Sequence, residues 1–166
     1  YEFFLGCLEL HMEEADTMVV LDTSEDPHPP RWAMDSRVLW VNAPGYGKGA
    51  TKFRFDLALN DAIKIAERAY PKEPFVIVQC DSDEYYECID EAVRKASEGN
   101  LVQVKTIHHI REGQAVEFGE SEWHRRIWPG HHGVHFVPSP DYPVRAEAAF
   151  HPLLMKNGLN EVRDHQ

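Results

Sequence analysis

Residues 55–84 constrain the fold more than any other stretch. Phe55, Leu59, Ala62, Ile63, Ala66, Ala69 and Tyr70 recur at helical spacing, with Lys64, Glu67 and Arg68 on the opposite side, so the segment is predicted to be an amphipathic helix that buries one stripe. Pro71 and Pro74 end it, because proline lacks the amide that an α-helix needs and its ring clashes with the preceding turn. The run Phe75-Val76-Ile77-Val78-Gln79 follows. A strand with one face in water alternates in polarity, whereas a continuous apolar run marks a strand covered on both faces. A helix that turns directly into such a strand directs the chain to an α/β architecture.

The flanking segments repeat the alternation. Phe4, Leu5, Leu8 and Met12 have helical spacing, the β-branched run Val19-Val20-Leu21 leads into a polar, proline-rich loop, and 37–41 reads as a second strand ending in the breaker-rich 42–49. Ile89, Ala92, Val93 and Ala96 suggest another helix, closed by Gly99-Asn100 and followed by a strand over 101–107. From Ala115 onward the pattern changes to short strands at 115–118, 123–128 and 133–137, with weak helical character only after His151. The expectation is one domain over 1–166: a mixed sheet flanked by helices, with antiparallel additions in the C-terminal part.

Composition narrows the function classes. Lysine and arginine total 17 against 28 acidic residues, a net charge of −11, which disfavours a broad nucleic-acid-binding face. No apolar run approaches the roughly 20 residues needed to cross a bilayer. Tyr1-Glu2-Phe3-Phe4 has no basic segment ahead of its apolar residues, so no secretory signal is expected. Cys7, Cys80 and Cys88 form no Cys-x-x-Cys pair and sit in or beside apolar segments, as expected of buried thiols in a cytoplasmic protein.

The sharpest chemical feature is Cys80-Asp81-Ser82-Asp83-Glu84, at the carboxyl end of the apolar strand. In extended backbone, residues two apart share a side, so Asp81 and Asp83 can point together into the crevice where open α/β sheets bind ligands. Two hard oxygen donors suit Mg²⁺ or Mn²⁺, and through it a diphosphate. Asp83 also fits as an N-cap for the helix that follows.

Taken in order, Val19-Val20-Leu21-Asp22-Thr23-Ser24-Glu25-Asp26, a glycine loop, Phe55-Asp56-Leu57-Ala58-Leu59-Asn60-Asp61-Ala62 and Phe75 to Glu84 resemble the donor half of a family 2-like GT-A glycosyltransferase. The resemblance implies a GT-A-like sheet, with a nucleotide-sugar donor half over about 1–84 and an acceptor half over about 100–155. It implies an enzyme that moves a hexose from a nucleotide diphosphate such as UDP to a hydroxyl acceptor, with Mn²⁺ or Mg²⁺ as cofactor and inversion at the sugar. By the same resemblance Asp22 meets the nucleoside with Glu25 or Asp26 assisting, and Asp81 and Asp83 hold the metal, with Ser82 between them at the donor. Asn60 represents the family's Arg-Asn pair, whose arginine is Leu59 here. His151, followed by Pro152, is a further metal ligand, and Glu120 or Glu122 is the base that deprotonates the acceptor. The family's opening strand has no counterpart ahead of Tyr1, so either the numbering begins inside a longer gene product or the sheet is truncated.

Other readings remain open at the sequence level. Lys48 and Lys52, in and just after the glycine loop, can approach phosphate or be solvated. The loop is not a Walker A motif, because Asn42 and Gly49 occupy the positions of its first glycine and its Ser or Thr. His108, His109, His124, His131, His132 and His135, with Glu122, are a rival metal set that would suit a hydrolase, although none has a recognised ligand spacing. Trp123, Trp128, Phe136 and Tyr142 with Arg125 and Arg126 offer either sheet cover or an acceptor surface for a glycan, a small molecule or a modified nucleic-acid base. A non-catalytic binding module is the last alternative.

Overall fold

The computed structural model describes residues 2–24, 26–43, 55–80, 89–104, 108–111, 114–117, 125–136 and 159–164. These form a small mixed α/β protein. The elements in chain order are α1 (Glu2–Glu14), β1 (Met18–Asp22), a 3-10 turn (Arg31–Met34), β2 (Val38–Asn42), α2 (Phe55–Ala69), β3 (Val76–Val78), α3 (Asp90–Ser97), β4 (Asn100–Val104), β5 (His108–Arg111), β6 (Gln114–Glu117), β7 (Arg125–Pro129) and β8 (Asn160–Asp164).

β1 and β2 pair in parallel, with Met18 opposite Val38 and Asp22 opposite Asn42. One face of this pair, carrying Met18, Val20, Val38 and Trp40, packs against Leu8 and Met12 of α1 and Trp32 and Ala33 of the 3-10 turn. The other face meets α2, with Leu21 and Val41 beside Ile65. Cover on both sides explains why Val19-Val20-Leu21 is apolar without alternation.

The second sheet has the order β3-β7-β4-β8. β7 runs antiparallel to both β3 and β4, and β8 runs parallel to β4. Alternation sends Ile77, Leu101 and Trp128 toward Leu59 and Ile63 of α2, with Val134, Phe136 and Leu159 completing that core. Val76, Val78, Val102 and Ile127 face the other way, onto Ala92, Val93 and Ala96 of α3. α2 therefore packs on both sheets. β5 and β6 form a separate antiparallel pair.

Local chemistry accounts for the ends. Gly99 has φ +90°, a conformation open to glycine at little cost. Its N–H donates to Ala96 O (2.9 Å), and the Asn100 side chain donates to Lys95 O (2.8 Å), so two terminal carbonyls of α3 are satisfied. Gly130 follows β7 where the Phe75 ring lies so close that no Cβ fits.

Two expectations are corrected. Residues 133–136 form no strand: His131 and Gly133, each at φ 64°, turn the chain, and Val134 and Phe136 insert into the core from a loop. The tail after His151, read as weakly helical, is strand β8 in its described part, because Val162 pairs beside Val102 at the sheet edge. Neither Cys7 nor Cys80 is in a disulfide, and both are only partly buried. No helix among the described residues is long and apolar enough to cross a membrane.

Candidate functional site

The starts of β1 and β3 lie on either side of Tyr70. Thr17, just before β1, contacts the Tyr70 hydroxyl through its own hydroxyl, and the Tyr70 ring lies 5.8 Å from that of Phe75, just before β3. Since β1 and β3 both start beside Tyr70, Asp22 and Gln79 stand at their other, carboxyl ends. The carboxyl end is where open α/β sheets bind ligands.

Asp22 is the last residue of β1. Its Oδ1 accepts the Ser24 N–H (3.0 Å) and the Ser24 hydroxyl (2.6 Å), an Asx-type turn that fixes the carboxylate as the chain leaves the sheet. Its Oδ2 is shielded from solvent and has no hydrogen-bond partner among the described residues. Trp40 Nε1 is in the same condition on the same face, two residue pairs below. A spare acceptor and a spare donor thus sit near the end of the β1–β2 pair, and an unsatisfied buried polar atom of this kind costs about 1–3 kcal/mol until a partner arrives.

Next to this end, on the α2 side, is a cleft of about 310 Å³, floored by Leu21, Val41, Ala43 and Ile65 and rimmed by Asp61, Lys64 and Arg68. Lys64 Nζ lies 3.0 Å from Asp61 Oδ1 in an exposed pair. Arg68 is exposed beside it.

At the carboxyl ends of β3 and β4 lies a row of polar side chains in which Arg126 is flanked by two glutamines that the sequence did not mark out. Gln79, Arg126 and Gln103 are 4%, 3% and 1% exposed. Arg126 is opposite Gln103 in the β4–β7 register, and its carbonyl accepts the Gln79 N–H (3.1 Å). Gln103 carries a sequence signal, since it interrupts the apolar run of β4, whereas Gln79 follows the end of β3 and Arg126 stands beside Arg125 at the start of β7. Arg126 is thus inside the sheet and not on an acceptor surface, and Trp128 and Phe136, 2% and 0% exposed, belong to the core.

Asn60 is held by a different task from the one expected. Its Nδ2 donates to Phe136 O (2.8 Å) and its Oδ1 accepts the Phe136 N–H (2.6 Å), so its amide clamps the 133–136 loop to α2. Asp26 is exposed and pairs with His28 (3.2 Å). Glu25, Lys52, Asp81, Ser82, Asp83, Glu120, Glu122 and His151 lie outside the described residues.

The histidines divide in the same way. His131 Nε2 is 2.7 Å from Tyr70 O, with its ring edge-on to Phe75 at 4.9 Å, and His135 Nδ1 is 3.0 Å from Gly133 O. These two rings brace turns. Among the described residues no three His, Cys, Asp or Glu side chains gather as a metal site. The chain matches no family model, no curated protein and no solved structure.

Proposed function

We propose that the protein is a metal-dependent glycosyltransferase with a GT-A-like sheet, moving a sugar from a nucleotide diphosphate to a hydroxyl acceptor. The observation that supports this reading is that β1 and β3 both start beside Tyr70, which leaves Asp22 and Gln79 at the carboxyl ends of their strands, with Asp81-Ser82-Asp83 beginning two residues after Gln79 in the sequence. Asp22, fixed through Oδ1, offers Oδ2 to an N–H or O–H of the nucleoside. Asp81 and Asp83 supply hard carboxylate oxygens, the donor type that Mn²⁺ and Mg²⁺ take. The ion, when bound, neutralises charge on the leaving diphosphate. Glu120 or Glu122 takes the proton from the acceptor hydroxyl. In this reading Asn60 acts through its clamp on Phe136.

Calorimetric titration with UDP and GDP, each with and without Mn²⁺, tests the proposal. Binding that requires Mn²⁺ and disappears in Asp83→Ala is the expected result. Absence of binding to both nucleotides, or full retention in Asp83→Ala, overturns it.

A further inference from the structure

α2 serves two sheets, and the way it divides its faces leaves part of the smaller sheet open. Leu59 and Ile63 enter the core of the four-stranded sheet. Asp61, Lys64, Ile65 and Arg68 form a second stripe at helical spacing, which passes over Leu21 and Val41. α2 packs more closely on β1 than on β2, so Val41 and Ala43, farther from the helix, are incompletely covered. On the larger sheet the side chains that face α2, Leu101 and Trp128, are each 2% exposed. On the smaller one Leu21, Val41 and Ala43, with Ile65 above them, are only partly buried. The consequence is the cleft of about 310 Å³ between α2 and the carboxyl half of the β1–β2 pair.

The chemistry of the lining selects the occupant. The floor is aliphatic, and among the described residues the lining has no aromatic ring, hydroxyl or side-chain amide, so it is complementary to a hydrocarbon chain and not to a base or a sugar ring. The rim is charged. Lys64 Nζ lies 3.0 Å from Asp61 Oδ1, and Arg68 stands one helical turn beyond Lys64. Two cations against one carboxylate leave the rim with a formal excess of positive charge, in a chain with 28 acidic and 17 basic residues. A guanidinium matches a carboxylate through its paired N–H donors. One negative charge balances this rim, whereas a diphosphate brings more than the rim can neutralise and is repelled by Asp61. The volume is at the lower end of the roughly 300–1,000 Å³ typical of small-molecule sites, which suits a short chain and not a peptide or a long acyl tail.

We propose that the cleft binds a small aliphatic monocarboxylate. Its hydrocarbon lies along Leu21, Val41, Ala43 and Ile65, and its carboxylate meets Arg68 with Lys64 alongside. Burial of the chain supplies the affinity, and the cations decide which end of the ligand faces solvent. Alternation along β1 puts the Asp22 side chain with Val20 and Trp40 on the other face of the β1–β2 pair. The carboxylate site is therefore separate from the place proposed for the nucleoside, and it is independent of sugar transfer.

Titration of the 1–166 chain with butanoate, hexanoate and octanoate, followed through amide NMR shifts, tests the proposal without any nucleotide. Saturable shifts are expected at Leu21, Val41, Ala43 and Ile65. Affinity should rise about fourfold per added methylene until the floor is filled, and fall as sodium chloride screens the rim. Octylammonium carries the same chain with the opposite charge and should bind roughly fivefold more weakly than octanoate, or worse. Arg68→Gln changes an exposed position of α2 and keeps a good helix former there, so the fold is retained while octanoate affinity drops roughly fivefold. Ala43→Leu places a larger side chain on the floor and lowers affinity by occupying the space of the hydrocarbon. Absence of saturable shifts, octylammonium binding as tightly as octanoate, or unchanged octanoate affinity in either variant overturns the proposal.

Discussion

Asn60→Ala separates a structural from a ligand-binding role at one position. Asn60 holds both backbone polar groups of Phe136, at 2.6 and 2.8 Å, and Phe136 is 0% exposed. Truncation leaves a shielded N–H and a shielded C=O without partners, each costing about 1–3 kcal/mol. Alanine returns roughly 0.5 kcal/mol through its better helix propensity in α2. The net loss is about 1.5–5.5 kcal/mol, toward the lower end if water follows the cavity. With a urea m-value of about 2–3 kcal/mol/M, a 3 kcal/mol loss moves the midpoint down by about 1–1.5 M while the slope stays the same. Equilibrium urea unfolding followed by tryptophan fluorescence reads it directly, since Trp128 shares the core with Phe136. A midpoint within about 0.2 M of the parent, combined with loss of nucleotide binding, would refute the clamp and return Asn60 to the donor site.

Three further outcomes follow from the same packing. Gly130→Ala drives a Cβ into the Phe75 ring, whose Cε1 and Cε2 lie 2.6 Å from the place that Cβ would take, and overpacking of about 1–3 kcal/mol lowers the melting temperature by roughly 3–10 °C; an unchanged melt would show that the ring yields freely. Trp128→Ala, at 2% exposure, costs about 3–5 kcal/mol, read as a lower denaturant midpoint. Burial holds the His11 imidazole below its ordinary pKa of 6.5, with Glu14 opposing in part. The unfolded chain therefore binds the proton more readily, so stability is fully present above pH 6.5 and is lost as pH falls through the folded pKa. His11→Leu removes that dependence, and urea midpoints at pH 7.5 and 5.5 should diverge less in the variant than in the parent.

Local order was legible where one physical signal dominated. α2 occupies Phe55–Ala69 because its apolar stripe keeps helical spacing until Pro71. β3 is covered on both faces, as its unbroken apolar run requires, by Ile63 of α2 and Ala92 and Ala96 of α3. What failed was set by distant partners. β8 has the sequence Asn-Glu-Val-Arg-Asp, which carries no strand signal, and its extension comes from pairing with β4, 60 positions earlier in register. The insertion of antiparallel β7 between β3 and β4 is likewise a non-local choice. It is favoured because Ile127 and Trp128 fill opposite cores at once.

The acids of the candidate site, Asp22, Asp81, Asp83 and Glu84, can be read from the chain, but of these only Asp22 is among the described residues, at the end of β1. Less legible were the surroundings: among the described residues the fold buries one guanidinium, Arg126, between Gln79 and Gln103 in the strand register. Burying a guanidinium costs several kcal/mol unless charge and hydrogen bonds offset it, and that burial cannot be read from the dipeptide Arg125-Arg126 in the sequence.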